Sequence, residues 1–203
     1  MIKVENRSKE EIVEIGRKVG EAFAAEKSGI VTMVTKEQAV RAFEIITDYY
    51  YRAGVLYTTS KKGEGYLVYW GKKTKSAMGP SLHMLKRFLC ELPPKAWAAA
   101  AGSGGNQYAK VFRKEPDYIV VSMVVVLREF QGKGFMHKVL EQPFAEAASK
   151  DIPCVLDTDT PLKVKKYIRC GMELCGEKKL KRGISLYTMA YCRKPDDAER
   201  QNL

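Results

Sequence analysis

One stretch near the middle of the chain restricts its fold more than any other. Residues 117–148 are DYIVVSMVVVLREFQGKGFMHKVLEQPFAEAA, in which a nearly continuous apolar run meets a Gln-Gly-Lys-Gly loop and then an amphipathic pattern. Such a β-branched run predicts a strand covered on both faces. Phe135, Val139 and Phe144 share one face at helical spacing, so the loop is predicted to lead from a buried strand directly into a helix, with Pro143 as a candidate kink.

The residues after 150 continue this alternation of strands and helices. IPCVLDT, residues 152–158, predicts another buried strand, residues 161–170 a short helix that Gly171 ends, and GISLYTMAYC, residues 183–192, a closing strand. The order β-α-β-α-β is typical of an α/β domain.

The N-terminal half predicts two helices and a hairpin. Ser8-x-x-Glu11 and Thr35-x-x-Gln38 are capping-box patterns, each followed by apolar residues at helical spacing. GVLYTTSKKGEGYLVYW, residues 54–70, has β-forming residues on both sides of a Lys-Lys-Gly-Glu-Gly turn and predicts a hairpin. Residues 72–116 are less regular: SLHMLKRFLCEL predicts an amphipathic helix that Pro93-Pro94 ends, and AAAAGSGGNQ a helix end that leads into a loop.

Composition fits one globular domain over residues 1–203. The chain has 203 residues, of which 45% are hydrophobic and 29% charged. Its first residues, MIKVENRSKEE, lack the apolar segment of a secretory signal, and its longest apolar run is far short of the roughly 20 residues that span a bilayer. We therefore expect a cytoplasmic protein that does not associate with membranes.

The cysteines and histidines do not predict a metal site. The five cysteines are scattered without a CxxC pair, and the only histidines are His83 and His137. Zinc ligands normally occur at closer and more regular spacing. Buried or free thiols are the better interpretation.

A strongly basic balance predicts an anionic partner. The net charge is +11 and the pI about 9.4, which fits nucleic acid, a polyphosphate ligand or an anionic substrate. The segment from Pro161 to Arg182 carries eight Lys or Arg residues against two Glu. A solvated basic face explains this segment equally well, and no nucleic-acid-binding motif accompanies it.

The loop Gln131–Gly134 has the chemistry of an anion site. Where a strand leads through glycines into a helix, free backbone N–H groups and the helix dipole favour a pyrophosphate. Glycine also lets the backbone approach a ligand closely. The loop is too short for a P-loop and lacks the third Gly of the dinucleotide fingerprint, because His137 stands there. By itself it is compatible with an ordinary turn.

Two motifs together resemble the GNAT superfamily of acyl-CoA-dependent N-acyltransferases. Gln131-x-x-Gly134 matches in part the family signature (Arg/Gln)-x-x-Gly-x-(Gly/Ala), with Phe135-Met136 where Gly or Ala is common. LDTDTPLKVKKYIRCGM, residues 156–172, is similar to the segment LETxNxxNVxLYxxxGF, with Thr160 in the place of an Asn and Met172 in that of the Phe. Arg128 stands where the family often has Pro. The resemblance covers about seventy-five residues, 117–191.

The resemblance implies an α/β (α+β) GNAT fold, a mixed, largely antiparallel sheet splayed open and flanked by helices. Residues 117–193 would be the acetyl-CoA-binding half and residues 1–116 the acceptor-side half, with a helical insertion at about 72–116 and a polar tail at 194–203. Pantetheine would pair with the strand edge at Val124–Val126 and the pyrophosphate would bind the loop amides. The implied acetyl-CoA contacts are Val124, Val125, Val126, Gln131, Gly132, Lys133, Gly134, Phe135, Met136, Thr160 and Tyr167.

The implied reaction transfers an acetyl group to a primary amine. Such a transfer requires a neutral amine, stabilisation of the developing oxyanion and a proton donor for the departing thiolate. Tyr167 stands where the family places that donor; alternatively it only packs and contacts the cofactor. His137, Asp157 and Asp159 are candidates for a base, but the first fits an exposed residue and the aspartates fit helix caps equally well. No base is assigned.

The acceptor is the part of the function that the sequence defines least. Aromatic residues in DYYYRAG and YLVYW could line a pocket for a small cationic amine, although most such residues form cores. We therefore expect the acceptor to be an amine of a small molecule, a peptide or a protein. We also expect the protein to be a monomer or a homodimer.

The candidates to bind the cofactor phosphates are Lys163, Lys165, Lys166 and Arg169. The competing hypothesis is a non-catalytic basic protein, either an acyl-CoA sensor or a nucleic-acid binder.

Overall fold

A computed structural model describes residues 1–26, 29–74, 78–96, 106–180 and 183–192. Its helices are α1 (Lys9–Ala24), α2 (Lys36–Arg52), α3 (Met78–Glu91), α4 (Gln107–Val111), α5 (Phe135–Ser149) and α6 (Pro161–Arg169), with short 3-10 turns at Gly29–Met33 and Arg128–Phe130. Its strands are β1 (Ile2–Lys3), β2 (Leu56–Thr58), β3 (Gly65–Gly71), β4 (Ile119–Val126), β5 (Cys154–Thr158), β6 (Glu173–Lys179) and β7 (Ser185–Tyr191).

All these strands belong to one mixed sheet, in the order β1-β2-β3-β4-β5-β7-β6. Every neighbouring pair is antiparallel except β4 and β5, which are parallel. The parallel pairing covers only Ile119 with Cys154 and Val120 with Val155. Beyond these residues β4 pairs only with β3, and β5 only with β7. The sheet is therefore splayed open in its middle, as the resemblance implied.

Alternating residues of β4 pack into cores on opposite faces of the sheet. Met123 and Val125 belong to a cluster with α1 and α2, whereas Val124 and Val126 pack against a cluster with α5 and α6. This two-residue alternation is a property of any extended strand. It explains why the strand needs apolar residues at consecutive positions.

Both predicted capping boxes are present. The Ser8 hydroxyl accepts from the Glu11 amide at 3.2 Å, and the Glu11 carboxylate accepts from the Ser8 amide at 2.8 Å. Thr35 and Gln38 make the same reciprocal pair at the start of α2. Each box satisfies two N–H groups that a helix end would leave unpaired. The predicted hairpin, formed by β2 and β3, is also confirmed.

Two glycines allow α1 and α2 to pack at very short distance. A Cβ atom added at Gly16 would lie 2.7 Å from the Cα of Glu44, and one added at Gly20 would lie 2.7 Å from the Cα of Val40. These contacts are with backbone, which cannot rotate away. The helix pair therefore depends on the absence of a side chain at both positions.

Some elements differ from the sequence predictions or add to them. β6 was not predicted: it is an exposed edge strand whose residues, ELCGEKK, lack an apolar run. The helix predicted after the glycine loop is α5, which contains Pro143 within its length. Residues 97–105, including the predicted Gly/Ser loop, and the polar tail at 194–203 lie outside the described residues. Among the helices that the structure describes, none is long and apolar enough to cross a membrane.

We expect Gly20→Ala to lower the free energy of unfolding by about 1–3 kcal/mol, because the new methyl group must push α2 away. Gly79 is the matched control: it lies in α3 with no atom within 4 Å of an added Cβ. There Ala should be neutral or should stabilise, as Ala favours helix over Gly. Urea denaturation of both variants measures the difference. Equal effects would show that the close approach of α1 and α2 does not matter.

Candidate functional site

A cleft of about 1060 Å³ occupies the place where β4 and β5 diverge. One wall is the edge of β4 with the loop that follows it, and the opposite side is formed by the end of β5 and by α6. The faces of α1 and α2 that point toward the sheet close it from the N-terminal side. The cleft is thus a direct consequence of the short β4–β5 pairing.

The edge of β4 presents free backbone groups to this cleft. The Leu127 amide donates to the Glu64 carbonyl on the β3 side at 3.0 Å. Because successive residues of a strand alternate, the N–H and C=O groups of Val124 and Val126 point the other way, toward the split. The Gln131 side chain donates to the Val126 carbonyl at 3.0 Å and so ties the loop to the strand. An extended ligand can pair with the remaining edge groups.

Five consecutive amides follow at the end of this edge. Within the described residues, the backbone N–H groups of residues 132–136 donate no hydrogen bond. Gly132 and Gly134 have φ of +74° and +77°, a conformation that few other residues adopt, and Gly134 is the N-cap of α5. The positive end of the α5 dipole lies at the same place. Together these groups form an anion site.

Tyr167 lies on α6 with its ring in the core and lines the cleft. Its exposed fraction is 8%, and burial raises the pKa of its hydroxyl. The hydroxyl makes no hydrogen bond to another described residue. The phenol is therefore protonated at neutral pH and available as a donor to a ligand in the cleft.

Asp157 is held in place at the end of β5. Its carboxylate accepts from the Thr188 hydroxyl at 2.7 Å and from the Tyr108 amide at 3.1 Å. Burial raises the pKa of this carboxyl group, and these two hydrogen bonds, with one from the Gln107 amide, oppose the rise. Its partners give Asp157 a structural role at the start of α4. The same environment, with burial first and the Asp157 charge second, raises the pKa of Tyr108 to about 12.

Three charged residues form an ion-pair cluster across the cleft, beside Tyr167. The Lys163 ammonium lies 2.6 Å from a Glu26 carboxylate oxygen and 2.7 Å from an Asp159 oxygen. Glu26 follows α1, whereas Lys163 is on α6, so the pair links the N-terminal helices to the C-terminal half. Burial lowers the pKa of Lys163, but its two carboxylate partners outweigh that effect and the pKa is raised overall. Two carboxylates share one ammonium group, which leaves a formal charge of −1.

Aromatic and apolar side chains form the wall of the cleft on the side of the N-terminal helices. α2 contributes Ala39, Ala42, Phe43, Ile46 and Tyr50. The Tyr50 hydroxyl lies 2.8 Å from the Ser122 hydroxyl of β4, which fixes the ring at the closed end of the cleft.

The structure brings most of the predicted cofactor residues to one cleft. Val124, Val125, Val126, Gln131, Gly132, Gly134, Phe135, Met136 and Tyr167 all line it. Lys133 and Thr160 do not: Lys133 is exposed over the Phe130 ring, and Thr160 caps α6 by accepting from the Lys163 amide. The helix cap is therefore Thr160 and not an aspartate.

The other charged candidates are placed differently. His137 and Arg128 are exposed and do not line the cleft, and neither do Lys165 and Arg169. Lys163 lines it, but its ammonium is paired with carboxylates; Lys166 also lines it. Within the part of the chain that the structure describes, no group of His, Cys, Asp and Glu is suited to hold a metal ion.

Glu26 and Tyr108 were not predicted as site residues from the sequence. Tyr50 and Trp70 belong to the two aromatic segments that were candidates to line a pocket, and both line the cleft. Glu26 follows a helix end with nothing in its neighbourhood to distinguish it, and its position depends on an ion pair with a residue far along the chain.

We expect Lys163→Met to lower the free energy of unfolding by roughly 1–3 kcal/mol, because it leaves two carboxylates without a counter-charge. The effect should fall below that of a fully buried pair, since 33% of the Glu26 side chain is exposed. Lys165→Met, on the exposed face of the same helix, is the control and should change stability by less than about 0.5 kcal/mol. Denaturant titration compares them. Equal stability of the two variants would contradict a structural role for the ion pair.

Comparison with solved structures shows that this architecture is the fold of GNAT-type N-acetyltransferases. An N-acetyltransferase from Staphylococcus aureus Mu50 aligns at a TM-score of 0.55 and 14% identity, over 90% of this chain and 96% of that one. A histone acetyltransferase HPA2-related protein from Corynebacterium glutamicum aligns at 0.57 and 13%, over 96% of each chain. A Drosophila melanogaster polyamine N-acetyltransferase aligns at 0.57 and 10%, over 93% and 98%. No protein-family model and no curated protein matches the sequence.

Proposed function

We propose that this chain, which has the GNAT fold, is an N-acetyltransferase that moves an acetyl group from acetyl-CoA to a primary amine. The observation that carries the proposal is the succession of two binding elements. The edge of β4 at Val124–Val126 has no strand partner on the cleft side, and after one short 3-10 turn the chain presents five free amides at residues 132–136. An extended chain that ends in a pyrophosphate is the ligand for such a surface.

The residues present fit that ligand. Gly132 and Gly134 have no atom within 4 Å of an added Cβ, so open space lies above the loop where phosphates would bind. Val124 and Val126 would pair with the amide groups of pantetheine, which would lie between β4 and β5. Residues 117–193 would thus form the cofactor half, and α1 and α2 the acceptor side.

In the proposed reaction, the amine nitrogen attacks the thioester carbonyl directly, within a ternary complex. The C–N bond forms, the C–S bond breaks, the amine loses one proton and the sulfur gains one. We assign Tyr167 as the donor of the proton to sulfur, because it is the protonated and otherwise unpartnered hydroxyl on α6 in the cleft. Met136 and the apolar edge of β4 would keep water from the thioester.

Acetyl-CoA should raise the melting temperature of the protein. A ligand at a hundred times its Kd stabilises the native state by about 2.7 kcal/mol. Gly134→Val should abolish this shift, since a branched side chain strains a φ of +77° and covers the loop amides. Gly183→Val is the matched control: its φ of +73° imposes similar strain at a position that does not line the cleft.

The proposal requires that Gly183→Val melt earlier but keep the shift. Thermal scans with acetyl-CoA, NAD and ATP complete the test. Stabilisation by NAD or ATP without stabilisation by acetyl-CoA would show that the loop binds another ligand.

Tyr167→Phe should lower kcat on the order of a hundredfold and leave KM for acetyl-CoA nearly unchanged. The variant keeps the buried ring but removes the proton donor, and general acid catalysis contributes roughly 10²–10⁴-fold. Tyr187→Phe is the control, because that ring packs against the same core without lining the cleft. Thiol release over a range of acetyl-CoA concentrations, at a fixed saturating amine, gives kcat and KM for both variants. A raised KM with unchanged kcat would make Tyr167 a cofactor contact only.

A further inference from the structure

We propose that the acceptor is a monoamine: one primary ammonium group on an extended apolar or aromatic body, with no second charge. This inference rests on the proposed function and specifies its substrate. It follows from the composition of the acceptor-side wall, which is the part of the cleft that α1, α2 and their connection form, and from the position of the negative charge in the cleft.

The acceptor-side wall is almost wholly apolar. Among the described residues that α1, α2 and their connection contribute to the cleft, the polar ones are Glu26 and Gln38. The others are aliphatic or aromatic, and Phe23 and Phe43 stack with their ring centroids 4.2 Å apart. A face of α2 that would ordinarily enter a core instead borders open space. Such a surface binds apolar groups.

Aromatic rings close the far end of the same wall. The Tyr50 and Trp70 ring centroids are 6.1 Å apart, and Tyr108 lines the cleft on the β5 side. The Tyr50 and Tyr108 hydroxyls already have partners in Ser122 and Asn106. A substrate at this end would therefore contact the ring faces, which favour a flat aromatic group or an aliphatic group.

The described residues of the cleft carry a charge opposite to that of the protein. Those that are charged and line it are three carboxylates, Glu26, Asp157 and Asp159, and two ammonium groups, Lys163 and Lys166, which gives a formal −1. The chain as a whole carries +11. Of these carboxylates, Glu26 and Asp159 lie beside Tyr167 and share the ammonium group of Lys163. One additional cation is thus favoured near the proposed proton donor.

The described residues of the acceptor-side wall offer no counterpart for a second charge on the substrate. The third carboxylate of the cleft, Asp157, lies on the opposite side at the end of β5, where the Thr188 hydroxyl and the Tyr108 amide already donate to it. Beyond Glu26, the acceptor-side wall has no described acidic side chain, so a distal ammonium group would be desolvated against Phe43, Ile46 and Tyr50. Burying an unpaired charge is strongly unfavourable. The same argument disfavours an acceptor with a distal carboxylate. Polyamines, basic peptides and amino acids therefore fit this wall poorly.

The chemistry balances without a further reactant. The substrate ammonium group enters the cleft and releases one proton to water, and the neutral nitrogen then forms the C–N bond as the C–S bond breaks. The second nitrogen-bound proton is lost as the amide forms, and the sulfur takes up one proton to give the free thiol. The net change is one acetyl group transferred and one proton released.

Matched amines test the proposal in the native protein with acetyl-CoA and thiol release as the readout. Along the series propylamine, butylamine, hexylamine, kcat/KM should rise about fourfold for each added methylene, from the usual transfer free energy of a buried CH₂. Phenethylamine should exceed propylamine. The matched pair is hexylamine and 1,6-diaminohexane, and the diamine should be at least tenfold poorer.

Two variants separate the effect of the Glu26 carboxylate on amine binding from an effect on folding. Glu26→Gln should raise KM for hexylamine about tenfold and leave KM for acetyl-CoA unchanged, whereas Glu21→Gln, on the exposed face of α1, should change neither. Since Glu26 also pairs with Lys163, the melting temperature of the variant with acetyl-CoA bound confirms that it is folded.

The outcomes separate a failure of this inference from a failure of the proposed function. No thiol release with any amine, although acetyl-CoA stabilises the protein, would overturn the proposed function and with it this inference. Turnover that is faster with 1,6-diaminohexane or a lysine peptide than with hexylamine would overturn the inference alone. So would a preference for octanoyl-CoA over acetyl-CoA with no effect of amine length, because the apolar wall would then hold the acyl chain.

Discussion

The brief pairing of β4 with β5 is the constraint on which the rest of this structure depends. Two residue pairs join the strands, after which each continues with a different neighbour. A central strand normally has both edges paired, and an unpaired edge inside a protein is costly. In this protein the backbone groups of Val124–Val126 that point toward the cleft have no strand partner. The unpaired groups, together with the glycine loop behind them, are what make a ligand site possible.

The N-terminal helices turn this opening into a bounded cleft. Gly16 and Gly20 let α1 and α2 pack closely enough to act as one layer, and the Glu26–Lys163 contact ties that layer to α6. A wall with few polar groups therefore faces the strand edge across open space. The basic charge of the chain is elsewhere: Lys165, Arg169 and the Lys residues of β6 are exposed, so the overall charge does not describe the cleft.

The local elements could be predicted from the sequence because their signals are local. The β4 run, the glycine loop and the two capping boxes each lie within a short segment, and two motifs at the right separation were enough to identify the fold. β6 was missed because ELCGEKK has no apolar face to reveal it. The Glu26–Lys163–Asp159 cluster was missed because Glu26 is distant in sequence from the other two residues. Lys163 is an example. The sequence made it a candidate for phosphate binding, whereas in the folded protein its ammonium group pairs with two carboxylates.

Backbone hydrogen exchange on adding acetyl-CoA tests the central claim most directly. The amides of residues 132–136 have no partner in the described structure and should exchange rapidly in the free protein. With acetyl-CoA bound, we expect slowed exchange concentrated at these amides and at Val124 and Val126. Binding of acetyl-CoA without protection of residues 132–136 would contradict the account, because the ligand would then lie elsewhere and the splayed sheet would not be its site.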